Sequence, residues 1–542
     1  MINYSTTAAV IGGGATGIGI LRDLSMRGIS TILVDQGDLA HGTSSRFHGG
    51  LHSGARYAVK DPVSAVECMQ ENKILKHIAK NYIVNSNGWF VQMEDDEPAF
   101  TEAWVTGCAN SGISVREISL GEAYSMEPLL KKNAARIFEV PDATIDWFQL
   151  IWANARSAQR YGGQYKTYHK VEQVLREGDR VVGVSGKNLL TGEDFIIHSD
   201  MVINAAGAWA SHIAATAKVP LEVICDKGTL LVFNQRLFQR LISRLRPPSD
   251  GDIYVPHETV TIFGTTSKAV DSPEDNQPKE DEVIKLLGIG EQLLANVDLY
   301  RVIRAFSGVR PLYRGKNTED AGRNVTRGLA LIDHELEVGI KGFVSIVGGK
   351  FSTYRLMAEK VTDLVTAKLG QYSPCRTAEE KLYPEISEKV KREASILLPF
   401  GAAEKMVNRL GEQASEVLTE IKCDPSKAQL VCECEMVTLA EVEKTARTED
   451  VYNLSDIRRR TRLGMGTCQG LFCAYRTLPL TLKVNGKHQS LSQEMKNFLN
   501  QRWKGIRPVL WGRQLREAEL TRAIYAGVLG MNAKEELKCG TE

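Results

Sequence analysis

The chain has 542 residues, 43% of them hydrophobic and 25% charged, with a formal net charge of +1. This length supports two or three domains with sizeable cores, and the balanced charge excludes a broad electrostatic footprint for nucleic acid or an anionic membrane. No apolar run approaches the roughly 20 residues that span a bilayer, and the N-terminus lacks the pattern of a signal peptide.

The opening "AAVIGGGATGIGILRDLSMRGISTILVDQGD" predicts a buried strand over residues 8–11, a glycine turn, a helix over 18–27 and a second strand ending at Asp35. Gly12, Gly14 and Gly17 have the G-x-G-x-x-G spacing. Between strand and helix, such glycines let a pyrophosphate approach the backbone and lie on the helix N-terminus. Asp35 stands where an acid accepts hydrogen bonds from a ribose. Leu21 departs from the small residue that often eases helix–strand packing here.

The next stretch, "HGTSSRFHGGLHSGARYAV" over residues 41–59, is rich in small, hydroxyl and cationic side chains. Its Thr43, Ser44 and Ser45 suit a loop wrapping a flavin dinucleotide, FAD, while His52 and Arg56 face a substrate. "DMVINAAGAWA" predicts a strand ending in small residues, among them Gly207, beside the same cofactor. The segment "TIDWFQLIW" is expected to be core or cofactor packing. "RAFSGVRPL" supplies Arg304 and Arg310. A third strand–turn–helix, "GFVSIVGGKFSTYRLMAEKVTDLV", brings Gly348, Gly349, Lys350, Ser352, Thr353 and Tyr354. The N-terminal amides of its helix suit a flavin pyrimidine oxygen.

Residues 376–427 are charged and helical in pattern, a connecting segment. Beyond them, Cys432, Cys434, Cys468 and Cys473 have the spacing C-x-C-x33-C-x4-C. Four thiolates can hold a [2Fe-2S] cluster or zinc. Zinc more often takes C-x2-C knuckles, and four unliganded thiols are the remaining alternative. The final stretch, residues 481–542, is aromatic and amphipathic, fit to dock on this chain or on a partner.

"IGGGATGIGILRDLSMRG" and "GGKFSTYRLMA" resemble the signature segments of FAD-dependent glycerol-3-phosphate dehydrogenases. "LHSGARYAV" and the C-terminal cysteines are more similar to the anaerobic bacterial form than to the aerobic single-chain one. The cysteine pattern resembles the [2Fe-2S] domain of bacterioferritin-associated ferredoxins. The resemblance implies an α/β fold: a Rossmann-type FAD-binding domain with an interleaved mixed-sheet substrate domain over 1–375, then a small, mostly helical cysteine domain over 428–480. It implies oxidation of sn-glycerol 3-phosphate, with Arg56, Arg310 and Lys350 around the phosphate and His52 beside the carbinol. Arg304 and Tyr354 are further candidates for substrate contact. The implied partners are a membrane-anchoring iron-sulfur subunit plus a second catalytic subunit, which places the chain peripherally on the cytoplasmic side of the inner membrane. The same cations could instead hold a carboxylate, as in a 2-hydroxy-acid or amino-acid dehydrogenase. A non-catalytic flavin and iron-sulfur electron carrier is a third reading, against which His52 beside Arg56 argues.

Overall fold

The computed structural model describes residues 1–313, 328–399, 401–485 and 491–530. Two parts of the expected C-terminal segment, 486–490 and 531–542, lie outside them. The opening strand runs Ile2–Ile11 and pairs in parallel with Thr31–Val34 on one side and Asp194–Asn204 on the other. Its half from Ala8 to Ile11 is buried, as a parallel strand covered on both faces must be. The first helix spans Ala15–Met26, starting three residues before the expected 18 because the glycine turn flows directly into it. It packs on the helices Trp147–Arg160 and Tyr354–Lys368, with Leu21 fully buried.

Around these strands forms an eight-stranded sheet, extended on one side by His169–Glu177 and Arg180–Asn188 and on the other by Gln164–Lys166. The strand Phe343–Gly348 joins the C-terminal half of Asp194–Asn204 in parallel. A second, nine-stranded mixed sheet takes its strands from Gly88–Met93 to Ala134–Val140 and from Val223–Phe233 to Val302–Tyr313. Those segments are inserted between strands of the first sheet, so the substrate-side sheet is interleaved with the dinucleotide-binding one. Its spine is the long antiparallel pair Val223–Phe233 and Val302–Tyr313.

Three helices, Glu388–Leu397, Ala402–Leu410 and Ala414–Cys423, build a small separate core in the expected connecting region. The cysteine region folds as a short hairpin, Leu430–Cys432 with Val437–Thr438, followed by helices Leu439–Ala446, Leu454–Thr461 and Cys473–Asn485. It is clamped to the first domain by ion pairs. Buried Asp38 receives Arg459 Nε at 2.6 Å and Arg460 at 2.9 Å, and Arg462 reaches Asp146 at 3.0 Å. The described C-terminal helices dock on this chain. Val509 is fully buried in the core of the second sheet, and Gly505 sits so close to Ala305 that a Cβ there would lie 2.2 Å from its carbonyl oxygen.

Candidate active site

A cavity of about 580 Å³ lies between the two sheets, at the C-terminal ends of the parallel strands. Gly12, Gly14, Asp35, Thr43, Ser44, Gly207, Gly348, Gly349, Lys350 and Ser352 line it together with His52, Arg56 and Arg310. This is where open α/β sheets bind ligands.

At the dinucleotide end, backbone shape does the work. Gly12 has φ +113°, and a Cβ on it would meet the Ala205 carbonyl oxygen at 2.5 Å. A Cβ on Gly17 would lie 1.8 Å from the Gly12 carbonyl oxygen, so this glycine holds the turn together from behind the cavity. Gly14, the residue before the helix, makes no side-chain cap, and the first turn carries no acid. Its amides are therefore suited to an anionic group. Ser44 Oγ accepts from Ala15 N at 2.9 Å, and Thr43 donates to the Val309 carbonyl at 2.6 Å. Ser45 faces a second cavity. Asp35 accepts from Gly13 N at 2.5 Å and lies 3.1 Å from His41 Nδ1, which fixes its carboxylate at the cavity wall.

At the other end, each expected cation comes with an acceptor that positions it. Arg310 pairs with Asp226 at 2.5 Å and donates to the Thr266 carbonyl at 3.0 Å. Arg56 pairs with Asp252 at 2.7 Å. Lys350 Nζ bonds Ser64 Oγ at 2.8 Å and lies over the Tyr57 ring at 4.7 Å. His52 Nδ1 lies 3.0 Å from Asp142 Oδ2, while the Ser53 amide and hydroxyl both donate to Oδ1 at 2.6 Å. Burial pushes the Asp142 carboxyl up, but the bonds from His52 and Ser53 outweigh it and hold it below the ordinary carboxylate value. His48, edge-on to His52 with ring centroids 5.2 Å apart, is held well below the usual histidine value by burial and its cationic neighbours. It is a neutral wall of the site. Asp142, Asp226 and Asp252 were not foreseen: each comes from a strand or loop far along the chain, and only Asp142, after a proline at a strand end, offered any local signal.

Of the two further candidates for substrate contact, one lies in another cavity and one borders the first. Arg304 shares a strand with Arg310 but lies six residues away, about 20 Å along it, and lines the second cavity. Tyr354 borders the first cavity, yet its hydroxyl turns into the helix core and accepts from Asn154 Nδ2 at 3.0 Å. Thr353 bonds back to the Lys350 backbone and shapes the turn without lining the cavity.

The four cysteines converge. Cys434 Sγ lies 3.7 Å from Cys468 Sγ, and buried Cys432 and Cys473 belong to one packed cluster and act on each other's titration. The Cys468 thiol is held below its ordinary value by its Cys434 and Cys473 neighbours, while Cys432 and Cys473 are pushed up, so the charge settles on Cys468. Gly466 packs against Cys434, where a Cβ would come within 2.4 Å of the cysteine Cβ, and buried Arg502 lies alongside the thiols. Neighbouring thiols beside a guanidinium have the chemistry of a four-cysteine centre.

Comparison with known proteins agrees with this geometry. Residues 7–354 match the FAD dependent oxidoreductase family, and residues 430–478 match the BFD-like [2Fe-2S] binding domain. The chain is 43% identical to one subunit of the anaerobic glycerol-3-phosphate dehydrogenase of Escherichia coli (strain K12), over 98% of each chain. It is 40% identical to the like-named subunit of Haloferax volcanii, over 98% of this chain and 92% of that one.

The chain belongs to this family of anaerobic glycerol-3-phosphate dehydrogenase subunits.

Its cofactors are accordingly FAD and a [2Fe-2S] cluster. The glycine turn and the thiol ring fit them. Among solved structures, the FAD complex of the Bacillus halodurans glycerol-3-phosphate dehydrogenase shares the fold at TM-score 0.70 and 22% identity, covering 94% of this chain and 97% of that one. The L-proline dehydrogenase of P. horikoshii shares it at TM-score 0.56 and 17% identity, covering 69% of this chain and 96% of that one.

Proposed function

We propose that the chain oxidises sn-glycerol 3-phosphate to dihydroxyacetone phosphate. The observation carrying this reading is one cavity that joins a dinucleotide turn to three positioned cations and a histidine–carboxylate pair. When bound, FAD supplies the hydride acceptor and the cluster a one-electron carrier. The protein's own part is positional. Arg310, held by Asp226, presents a planar donor fork to the phosphate, with Lys350 as a compact positive charge and Arg56 beside them. His52 takes the hydroxyl proton, and Asp142 fixes the ring so that Nε2 is the accepting atom. Cys432, Cys434, Cys468 and Cys473 hold the cluster, and the docked cysteine domain is the electron exit.

The relatives are named as one subunit of a larger enzyme, which supports assembly with further chains. A membrane-anchoring iron-sulfur subunit, together with a second catalytic subunit, would carry electrons to the quinone pool in anaerobic respiration. Among the described residues no helix is long and apolar enough to cross a membrane, in keeping with peripheral attachment through partners at the inner membrane.

The test is anaerobic bleaching of the bound flavin by glycerol 3-phosphate, glycerol, a 2-hydroxy acid and an amino acid. Glycerol 3-phosphate should act alone at low concentration. Arg310→Ala should weaken its binding by about 1.5–3 kcal/mol, the value of a charge-assisted hydrogen bond, and leave the weak reaction with glycerol unchanged. Equal losses for both would make Arg310 structural, and preferential bleaching by a carboxylate would favour the rival dehydrogenases.

A further inference from the structure

One polar side chain of the first cavity belongs neither to the cation cluster nor to the His52–Asp142 pair. His48 lines the cavity beside His52, with the two rings edge-on and their centroids 5.2 Å apart. Its backbone is fixed from the second sheet, because His257 Nε2, on the strand Ile253–His257, donates to the His48 carbonyl at 2.8 Å. The preceding Phe47 stacks on Phe351 with centroids 4.6 Å apart. Gly50 closes a tight loop on the other side. Its amide donates to His48 Nδ1 at 3.0 Å, and a Cβ on Gly50 would lie 3.1 Å from that nitrogen.

That bond assigns the tautomer. An amide N–H can only donate, so Nδ1 is the bare nitrogen and the proton of the neutral ring sits on Nε2. Among the described residues Nε2 makes no hydrogen bond. Burial and the neighbouring His52, Arg56, His257 and Arg310 hold the ring well below the usual histidine value, so it takes no second proton. His52 is arranged the opposite way: Asp142 accepts from its Nδ1–H, which leaves Nε2 bare. Two neighbouring histidines therefore offer the cavity an N–H donor and a bare nitrogen. Oxidation of a secondary alcohol calls for both. The hydroxyl proton needs an acceptor, and the oxygen, which gains negative charge as that proton leaves, needs a donor.

We propose that His48 is a second catalytic histidine, donating from Nε2 to the carbinol oxygen while His52 takes the hydroxyl proton. This rests on the reading that glycerol 3-phosphate is oxidised in this cavity. The hydroxyl proton passes to His52 Nε2, the carbinol hydride leaves to FAD, and the C–O single bond becomes a carbonyl. His48 keeps its proton throughout and stays bonded to that oxygen in the product. Its contact strengthens as charge builds on the oxygen, so it acts on the rate more than on substrate binding. It also selects among substrates: a hydroxyl or carbonyl oxygen accepts this bond, and a protonated amine, which has only N–H donors, cannot.

The test compares two variants of the full chain in anaerobic stopped flow with glycerol 3-phosphate. His48→Asn keeps an acceptor for the Gly50 amide and lacks the distal donor, whereas His48→Gln carries its side-chain amide out to the distal position. His48→Asn should lower the limiting rate of flavin reduction roughly 10²- to 10³-fold, the loss on removing one such donor, with little change in substrate Kd. His48→Gln should restore much of that rate. Binding is read separately, from the flavin absorbance of the oxidised proteins titrated with dihydroxyacetone phosphate or with methyl phosphate, which has no carbonyl. His48→Asn should bind the ketone roughly twofold to tenfold more weakly, the value of one neutral hydrogen bond, and bind methyl phosphate as the parent does. Equal weakening of both ligands would make His48 structural and overturn the proposal. If the variants fail to hold FAD, the carbonyl infrared band of bound dihydroxyacetone phosphate, isolated by a carbon isotope label, decides in the parent. It should lie below its solution frequency, and an unshifted band overturns the proposal. A parent flavin that glycerol 3-phosphate does not bleach overturns the substrate reading and this one with it. A bleached parent with an unchanged rate in His48→Asn overturns this one alone.

Discussion

His52 can act as a base only if its ring is held in one orientation, and Asp142 is the group that holds it. The carboxylate is buried and takes three hydrogen bonds, two from Ser53 and one shared with Nδ1 of His52. His52→Ala should lower the rate of flavin reduction by bound glycerol 3-phosphate roughly 10²-fold or more, a typical loss for a general base. Asp142→Asn should lower it as well, and the double variant should be little worse than His52→Ala, because the two act as a unit. Additive losses in stopped-flow measurements would separate them. The sign of the pH effect on stability follows from the depressed Asp142 value. A carboxyl depressed in the folded state contributes stability that is present above its unfolded value near 4 and is lost as pH falls through the folded value. The stability difference between wild type and Asp142→Asn in urea should thus shrink as pH falls below about 4.

The first strand, turn and helix are the element most fully legible in the sequence, because everything that specifies them is local. The apolar run, three spaced glycines and terminal acid all fall within 35 residues. A Cβ on Gly14 would already lie 3.0 Å from Ser44 Oγ, so Gly14→Val should displace that loop and close the pyrophosphate approach. Purified Gly14→Val should retain its circular dichroism and lose FAD; unchanged FAD content would remove the turn from the cofactor site. The sheet that carries Arg310 was far less legible. Its strands are inserted between those of the first sheet, and the acids that orient Arg310, Arg56 and His52 come from residues 84, 196 and 90 positions away. Sequence grouped Arg304 with Arg310 because they are neighbours in the chain. A strand's rise of about 3.3 Å per residue instead delivers them to different cavities. Tyr354, which follows the cofactor turn, does border the first cavity, while its place in the first helical turn points the hydroxyl at Asn154.

At the scale of the whole molecule the question is what keeps the thiol centre beside the flavin domain. Cys434→Ser should lose iron and sulfide while keeping FAD, since serine replaces a thiolate poorly at iron and the thiols lie outside the FAD cavity. Zinc without sulfide in the wild type would turn this centre into a structural one. The docking itself depends on Asp38, which follows the strand Thr31–Val34 and is fully buried against Arg459 and Arg460. Burial pushes its carboxyl up, but the two guanidiniums prevail and hold it below the ordinary value, so it is charged throughout the physiological range. Arg460 also lies 3.7 Å over the Trp152 ring, which ties the pair to the helix Trp147–Arg160 beneath the cofactor turn. Asp38→Ala would strand two buried guanidiniums, and removing one partner of a buried pair costs about 3–5 kcal/mol. The cost falls on the interface, because the cysteine domain has a core of its own and joins the flavin-domain core through Met465. Calorimetry of Asp38→Ala should therefore resolve an early unfolding transition for the cysteine domain, ahead of the flavin domain. Limited proteolysis should cut between residues 376 and 427, the helical connection, well before wild type is cut. A single transition at the wild-type temperature would show that the C-terminal helices, anchored by Val509 in the second sheet, hold the domain in place without this ion pair.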